Sequence, residues 1–276
     1  MLEYAALGVL GVAVGGFGTL VGAGGGFLLV PILLLLYPEQ DPDTITAMSL
    51  FVVFANAASG SAAYARQGRI DFRSGGWFAL ATLPGSLAGV LVVGYLPRRT
   101  FDGLFALVLA LIGAYLLVPR RGTTAVRDPL RGRGVVRRTI RDRDGQTFVY
   151  SYRLWQGMAI SLVVGFVSSL LGIGGGIVHV PAMAVLLHFP VHIATATSHF
   201  VLAVMALQAT GAHAVTGSLG WDDPLARAAA IALGAVGGAQ IGARLAPRVH
   251  GRAIIRALGA ALVIVAARLA LAAAGV

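Results

Sequence analysis

Two stretches of this chain repeat one another: residues 15 to 31 read GGFGTLVGAGGGFLLVP, and residues 165 to 181 read GFVSSLLGIGGGIVHVP. Each sets three adjacent glycines into an otherwise apolar run. Adjacent glycines point in different directions around a helix, and each costs ~1 kcal/mol relative to alanine in a helix interior. Small-residue packing of the GxxxG kind accounts for Gly8, Gly11, Gly15 and Gly18. It does not account for a triple glycine, so we read Gly24, Gly25, Gly26 and Gly174, Gly175, Gly176 as unwound breaks in membrane helices.

Composition fixes the setting. The chain has 276 residues, of which 57% are hydrophobic and 12% charged, with a mean hydropathy of +0.83, far too apolar for a soluble globular domain. A helix needs ~20 apolar residues to cross the hydrocarbon. Apolar segments run over about 4–36, 45–65, 75–96, 101–119, 154–187, 193–214, 225–246 and 253–274. The expected fold is therefore an all-α polytopic membrane protein with about eight apolar segments, or up to ten if the broken ones count as two. The start carries Glu3 and no basic region, so it reads as a first membrane segment rather than a signal peptide. The absence of cysteine excludes disulfides and thiolate chemistry.

The repetition extends beyond the glycines. TAMSLF at 46–51 returns as TATSHF at 195–200, and GRIDF at 68–72 corresponds to GSLGW at 217–221. The expected organisation is a first transmembrane repeat at 1–119, an Arg-rich linker at 120–153 and a second repeat at 154–276. The linker and its end hold Arg120, Arg121, Arg127, Arg131, Arg133, Arg137, Arg138, Arg141, Arg143 and Arg153. In a membrane protein such a loop is cytoplasmic by the positive-inside rule, which explains the net charge of +10 without nucleic acid. Two β-prone runs flank Asp144-Gly145, a hairpin signal.

Residues 4–36 would be ~50 Å long as one helix, too long for one crossing. A break there makes the crossings per half odd, which inverts the second repeat relative to the first. Charge agrees: Arg66, Arg69 and Arg73 then lie inside with the linker, and PEQDPD at 38–43, Asp222 and Asp223 outside. Arg98 and Arg99 remain outside in either arrangement.

Unwound backbone at membrane depth is tolerated only where it is buried in protein or lines a cavity. It frees N–H groups at the start of the following half-helix, a place that favours an anion. Duplicated broken helices point to the substrate site of a secondary transporter. The backbone amides of Gly24 to Gly26 and Gly174 to Gly176 are expected to approach one another across a shared cavity. Ser49, Asn56 and Ser59 of the first half and Thr197, Ser198, His199 and Gln208 of the second are the polar candidates to complete the site. Ser49 and Ser198 are equivalent positions. Serine and threonine in such helices also bond back to their own backbone.

His199 and His213 are ionisable groups in apolar surroundings. They could attract an anion, carry a proton or stay neutral and hydrogen-bonded. His179 matches Leu29 in the first half, so symmetry gives it no support. His188 and His192 have the spacing of a metal pair, but Pro190 between them argues against one helix presenting both. Neither copy of the glycine motif has the Lys-Ser/Thr of a phosphate-binding loop, and no paired carboxylates stand ready for acid–base catalysis. No enzyme, metal or cofactor is expected.

The duplicated GxGGGxxxVP segment, the A/T-x-S stretch and the G-x-I/L-x-F/W that follows resemble the TauE/SafE family over nearly the whole chain, the linker excepted. That resemblance implies transport of a small anion, sulfite, sulfoacetate or another, across the cytoplasmic membrane. The expected partners are that anion and the lipid bilayer, with no nucleic acid; association into a homo-oligomer stays open, as do a channel and a non-transporting scaffold.

Overall fold

In the computed structural model the described residues are 1–117, 134–219 and 223–246, with 259, 262–264 and 266–267 beyond them. Helices α1 (Leu2–Val21), α2 (Gly26–Leu36), α3 (Pro42–Arg66), α4 (Phe72–Val93) and α5 (Arg98–Leu117) form the first half. A ribbon of β1 (Val135–Arg141) and β2 (Thr147–Arg153) precedes α6 (Leu154–Leu171), α7 (Gly176–Val185), α8 (Val191–Thr216) and α9 (Asp223–Leu245). Among the described residues six helices, α1, α3, α4, α6, α8 and α9, are long and apolar enough to cross a membrane. Leu80, Leu91, Leu111, Val163 and Leu233 point outward from the bundle, as a lipid-facing surface requires. The chain is thus a multi-pass, mainly helical membrane protein. The last apolar segment expected from the sequence, 253–274, lies mostly outside the described residues.

Both glycine runs interrupt a helix. Gly22, Gly24 and Gly25 have φ of 82°, 76° and 87°, and Gly172, Gly174 and Gly175 have 67°, 77° and 64°, a left-handed region that side chains with a Cβ rarely adopt. The breaks turn the chain back on itself. The Tyr37 hydroxyl, just past α2, donates to Glu3 at the start of α1 (3.0 Å). Arg227 of α9 pairs with Glu3 (3.2 Å) and covers the Tyr37 ring at 4.4 Å. Each glycine run is therefore the tip of a helical hairpin whose arms return to one face, and for α6–α7 that face is the one bearing the ribbon.

The halves interlock. Glycines on α9 seat against α1, Gly234 on the Gly8 carbonyl, Gly238 on Val12 and Gly242 on Gly16, so the two helices run in the same direction. Gly85 and Gly89 of α4 seat in the same way on Leu162 and Phe166 of α6. These seams have the close backbone approach that small residues give in membranes. In the centre α3 and α8 cross in opposite directions: Leu50 clusters with Ala209, Val53 and Ala57 with Leu202 and Ala206, and Tyr64 with Ala196.

Arg98, on the face opposite the ribbon, has a structural role. Its guanidinium donates to the Asp102 carboxylate and to the carbonyls of Leu34, Pro38 and Gln40, closing the end of α2. Hydrogen bonds to orphan carbonyls at a helix end explain a cation that charge distribution alone does not.

The ribbon is bolted to the bundle through Asp71, the N-cap of α4. Its buried carboxylate accepts from the Ser74 amide (3.1 Å), the Tyr150 hydroxyl (2.7 Å) and Arg138 Nε (2.9 Å). Tyr150 and Tyr152 close on Phe189 at centroid distances of 4.4 and 5.0 Å. A second clamp joins Arg69 to Asp142 (3.2 Å) and Asp144 (3.0 Å). Burial raises the Asp71 carboxyl, but hydrogen bonds from Arg138, Ser74 and Tyr150 outweigh it and hold it at about 2. An unfolded aspartate titrates near ~4, so this contribution is complete above that pH and is lost as pH falls through about 2. Hydrogen exchange of residues 135–153 should therefore stay protected at about pH 5 and lose protection only between about pH 4 and 2. Loss of protection already above about pH 5 would contradict this assignment.

Candidate functional site

The two hairpin tips meet backbone to backbone in the middle of the bundle. A Cβ on Gly26 would lie 2.5 Å from the Gly172 carbonyl oxygen and 2.8 Å from the Ile173 carbonyl carbon. A Cβ on Gly176 would meet the Gly22 carbonyl oxygen and lie 2.7 Å from Ala23 Cα. The correspondence continues outward, with Gly22 against Thr195 and Val180, and Gly172 against their equivalents Thr46 and Val30. No backbone could come this close past any other residue type.

Above the tips stand two more equivalent side chains, Val53 and Leu202. Val53 touches both Gly24 and Gly174, and Leu202 touches Gly24. These side chains occupy the space between the breaks. The amides of Gly26 and Phe27 open α2, and those of Gly176 and Ile177 open α7. First-turn amides lack an intrahelical carbonyl; at Gly176 the Gly174 carbonyl takes that role at 2.7 Å. Both helix starts lie deep in the bundle, where water cannot screen their positive ends.

The polar candidates divide into those brought to the tips and those left away from them. Ser49 donates to the Gly172 carbonyl (2.7 Å). The Asn56 amide nitrogen donates to the Gly24 carbonyl (3.1 Å). Ser198, the counterpart of Ser49, is fully buried with no partner for its hydroxyl among the described residues. His199 is fully buried beside Thr19, Gly60 and Tyr64. Thr197 instead faces the ribbon side, accepting from the Asp71 amide (3.0 Å) and packing on Gly75. Gln208 lies nine residues beyond His199 on α8, ~13 Å further along at 1.5 Å per residue. Ser59 donates to the Val236 carbonyl (2.8 Å) and fastens α3 to α9.

Several groups at the tips escaped the sequence reading. Thr19 donates to Asn56 Oδ1 (3.1 Å), and the Tyr64 hydroxyl donates to the Thr19 carbonyl (2.8 Å). Thr46 and Ser168 are buried hydroxyls without partners among the described residues. Thr19 and Ser169 hold equivalent places in the two glycine motifs, a polar match within an apolar run that would have marked the first of them. Tyr64 lies near the end of α3 and reaches Thr19 only through its length, which nothing in its neighbourhood announces.

What this arrangement can do chemically is receive a small anion. It offers deep helix starts, buried hydroxyls whose hydrogen-bonding capacity is unused and a histidine, with no carboxylate beside them among the described residues to repel negative charge. Unused buried hydroxyls are destabilising unless something pairs with them.

Comparison with known proteins gives a consistent result. The family model described as sulfite exporter TauE/SafE matches residues 7–269. A probable membrane transporter protein of Bacillus subtilis (strain 168), YunE, is 30% identical over 274 residues, covering 97% of each chain. One of Methanocaldococcus jannaschii is 29% identical over 195 residues, covering 69% of this chain and 64% of its own. Another of Xylella fastidiosa (strain 9a5c) is 28% identical over 176 residues, covering 64% and 59%. No solved structure matches the chain significantly.

Proposed function

The chain belongs to the sulfite exporter TauE/SafE family, and from that premise we propose that it is a secondary transporter carrying a small anion across the cytoplasmic membrane of a prokaryote. The cargo is sulfite or an organosulfonate, held where the two hairpin tips meet. The observation that carries this reading is the pairing of two buried helix starts, with Gly26 against Gly172 and Ile173 and Gly176 against Gly22 and Ala23. Ser49, Asn56, Ser198 and His199 complete the site, with Thr46 and Ser168 beside them. Thr197 and Gln208 act on it from a distance, and the protein is no enzyme. With no nucleotide motif in the sequence, the energy comes from ion gradients.

We read the halves as inverted repeats. In support, the equivalent helices α3 and α8 cross in opposite directions, while α1 follows α9 and α6 follows α4. Alternating access then consists of one hairpin tip parting from its neighbours at a time around a fixed centre. In this orientation the ribbon is cytoplasmic and Gln40 is external. The chain has no cysteine, so single cysteines report sidedness directly. Asp144→Cys should react with an impermeant maleimide only from the cytoplasmic side and Gln40→Cys only from outside; labelling of both from one side would refute the topology.

Flux across a panel of anions in proteoliposomes tests the function. Sulfite, sulfoacetate and sulfate should separate by rate, and the favoured one should saturate. Flux rising linearly with concentration would mean a channel, and flux equal to protein-free vesicles for every anion would mean a scaffold.

A further inference from the structure

The two sides of the central site are equivalent in backbone but not in polar chemistry. Ser49 occupies the Gly172 carbonyl, whereas at the Gly22 side the imidazole of His199 stands where the first half has Leu50. The donor directions around His199 follow one from another. Asn56 Nδ2 donates to the Gly24 carbonyl, so its Oδ1 must accept, and it accepts from the Thr19 hydroxyl. A hydroxyl has one proton, and Thr19 has spent it. The remaining neighbour of Thr19 Oγ1 is His199 Nε2 at 3.2 Å, which must therefore be the donor.

The neutral ring thus carries its proton on Nε2 and a bare lone pair on Nδ1. That Nδ1 is buried and has no hydrogen-bond partner among the described residues. Most buried side-chain polar atoms have a partner; this nitrogen is left with a free lone pair. Nor can the ring turn away. A Cβ on Gly60 would come within 2.6 Å of Cδ2, and Tyr64 meets the ring edge-on at a centroid distance of 5.6 Å. Tyr64 is the titratable group facing the ring from α3. The break of α1 presents Thr19 and Gly22, and the neighbouring turns of α8 present Thr195, Ser198, Leu202 and Ala203, none of them charged.

We propose that His199 is a proton-binding site, its Nδ1 taking up a proton when the anion enters between the hairpin tips, so that anion and proton move together. This rests on the transporter reading above. A buried imidazolium without a counter-charge is strongly disfavoured, as is a buried anion alone. Each therefore raises the affinity for the other, by the same factor in both directions. The proton makes Nδ1 a donor, while Nε2 remains bonded to Thr19 of the first hairpin. The carrier crosses loaded with an anion and a proton, or empty and neutral.

Methanesulfonate and 2-hydroxyethanesulfonate are suitable probes, because their single charge does not change between about pH 5 and 8. In vesicles enclosing a pH-sensitive dye, a gradient of either should move protons with the anion through the wild-type chain. In His199→Gln the number of protons moved per labelled anion carried should fall at least about tenfold. An unchanged ratio of protons to anions in His199→Gln would overturn the proposal while leaving the transporter standing. Absence of flux for every anion, sulfite included, would overturn both. A second measurement needs no variant: in the wild-type chain with 15N-labelled imidazoles, one ring should show Nε2–H with a bare Nδ1 at about pH 8 and gain a proton on adding the anion. Rings that all ignore the anion would overturn the proposal.

Discussion

Gly26→Val and its counterpart Gly176→Val should each leave little folded protein in the membrane. The added Cβ at Gly26 would lie 2.5 Å from a carbonyl oxygen and 2.8 Å from a carbonyl carbon, and backbone atoms cannot swing aside as a side-chain end can. The tips must part, taking with them the bond from Ser49 to Gly172. Overpacking a core typically costs ~1–3 kcal/mol, and forcing two backbones apart places the effect above ~3 kcal/mol. Yield of monodisperse protein and its thermal midpoint in detergent report it. Gly76→Val is the control, since nothing lies within 4 Å of a Cβ there. Equal behaviour of Gly76→Val and Gly26→Val would mean that the tips do not meet as described.

Asp71→Asn should have the second largest effect. The carboxylate is fully buried and paired with Arg138, whose side chain keeps 21% of its surface in water. Breaking a buried pair from one side costs ~3–5 kcal/mol; partial hydration of the arginine lowers this to ~2–3 kcal/mol. The amide also loses one acceptor oxygen, leaving Tyr150 or Arg138 without a partner. The ribbon should come off α4, seen as fast hydrogen exchange over 135–153 with the helices still protected. Asp144→Asn, at a carboxylate that is 74% exposed, should shift stability by less than ~0.5 kcal/mol. Unchanged exchange over the ribbon in Asp71→Asn would mean that Asp71 does not hold it.

How much of this was legible in the sequence depends on the range of the interaction. The helix breaks were legible because three adjacent glycines are a local statement about backbone conformation, and repetition marks which glycines matter. The turn at Asp144-Gly145 is local in the same sense, but where the ribbon docks is not. Asp71 and Arg138 lie far apart in the chain, and an aspartate before a helix reads as an N-cap whether or not an arginine comes to it. Arg98 stood out against the charge rule because its role is hydrogen bonding to the end of α2, which charge distribution does not encode. Thr197 shared a motif with Ser198 and His199, yet on a helix adjacent residues point about 100° apart. It therefore faces the ribbon side while its neighbours face the tips.

The seams of α9 on α1 and α4 on α6 needed the fold. Gly85 and Gly89 match Gly238 and Gly242 in what they touch, but the spacing between the halves changes after α8, and that shift hides the match from a fixed-offset comparison. His199 was visible as an ionisable group in an apolar helix. Its protonation state was not, since that depends on a chain of donors running from Gly24 through Asn56 and Thr19.

Whether an anion is carried at the paired hairpin tips is read most directly from the initial rate of labelled-sulfite counterflow in proteoliposomes, measured for the wild-type chain and for Ser49→Ala combined with Ser198→Ala. The wild-type rate should exceed that of protein-free vesicles and saturate with sulfite. The double variant, folded but without the two hydroxyls that face the tips, should fall at least about tenfold in kcat/KM, the loss of ~1.4 kcal/mol of binding. Counterflow no faster than in empty vesicles, or a double variant indistinguishable from wild type, would contradict carriage at the tips.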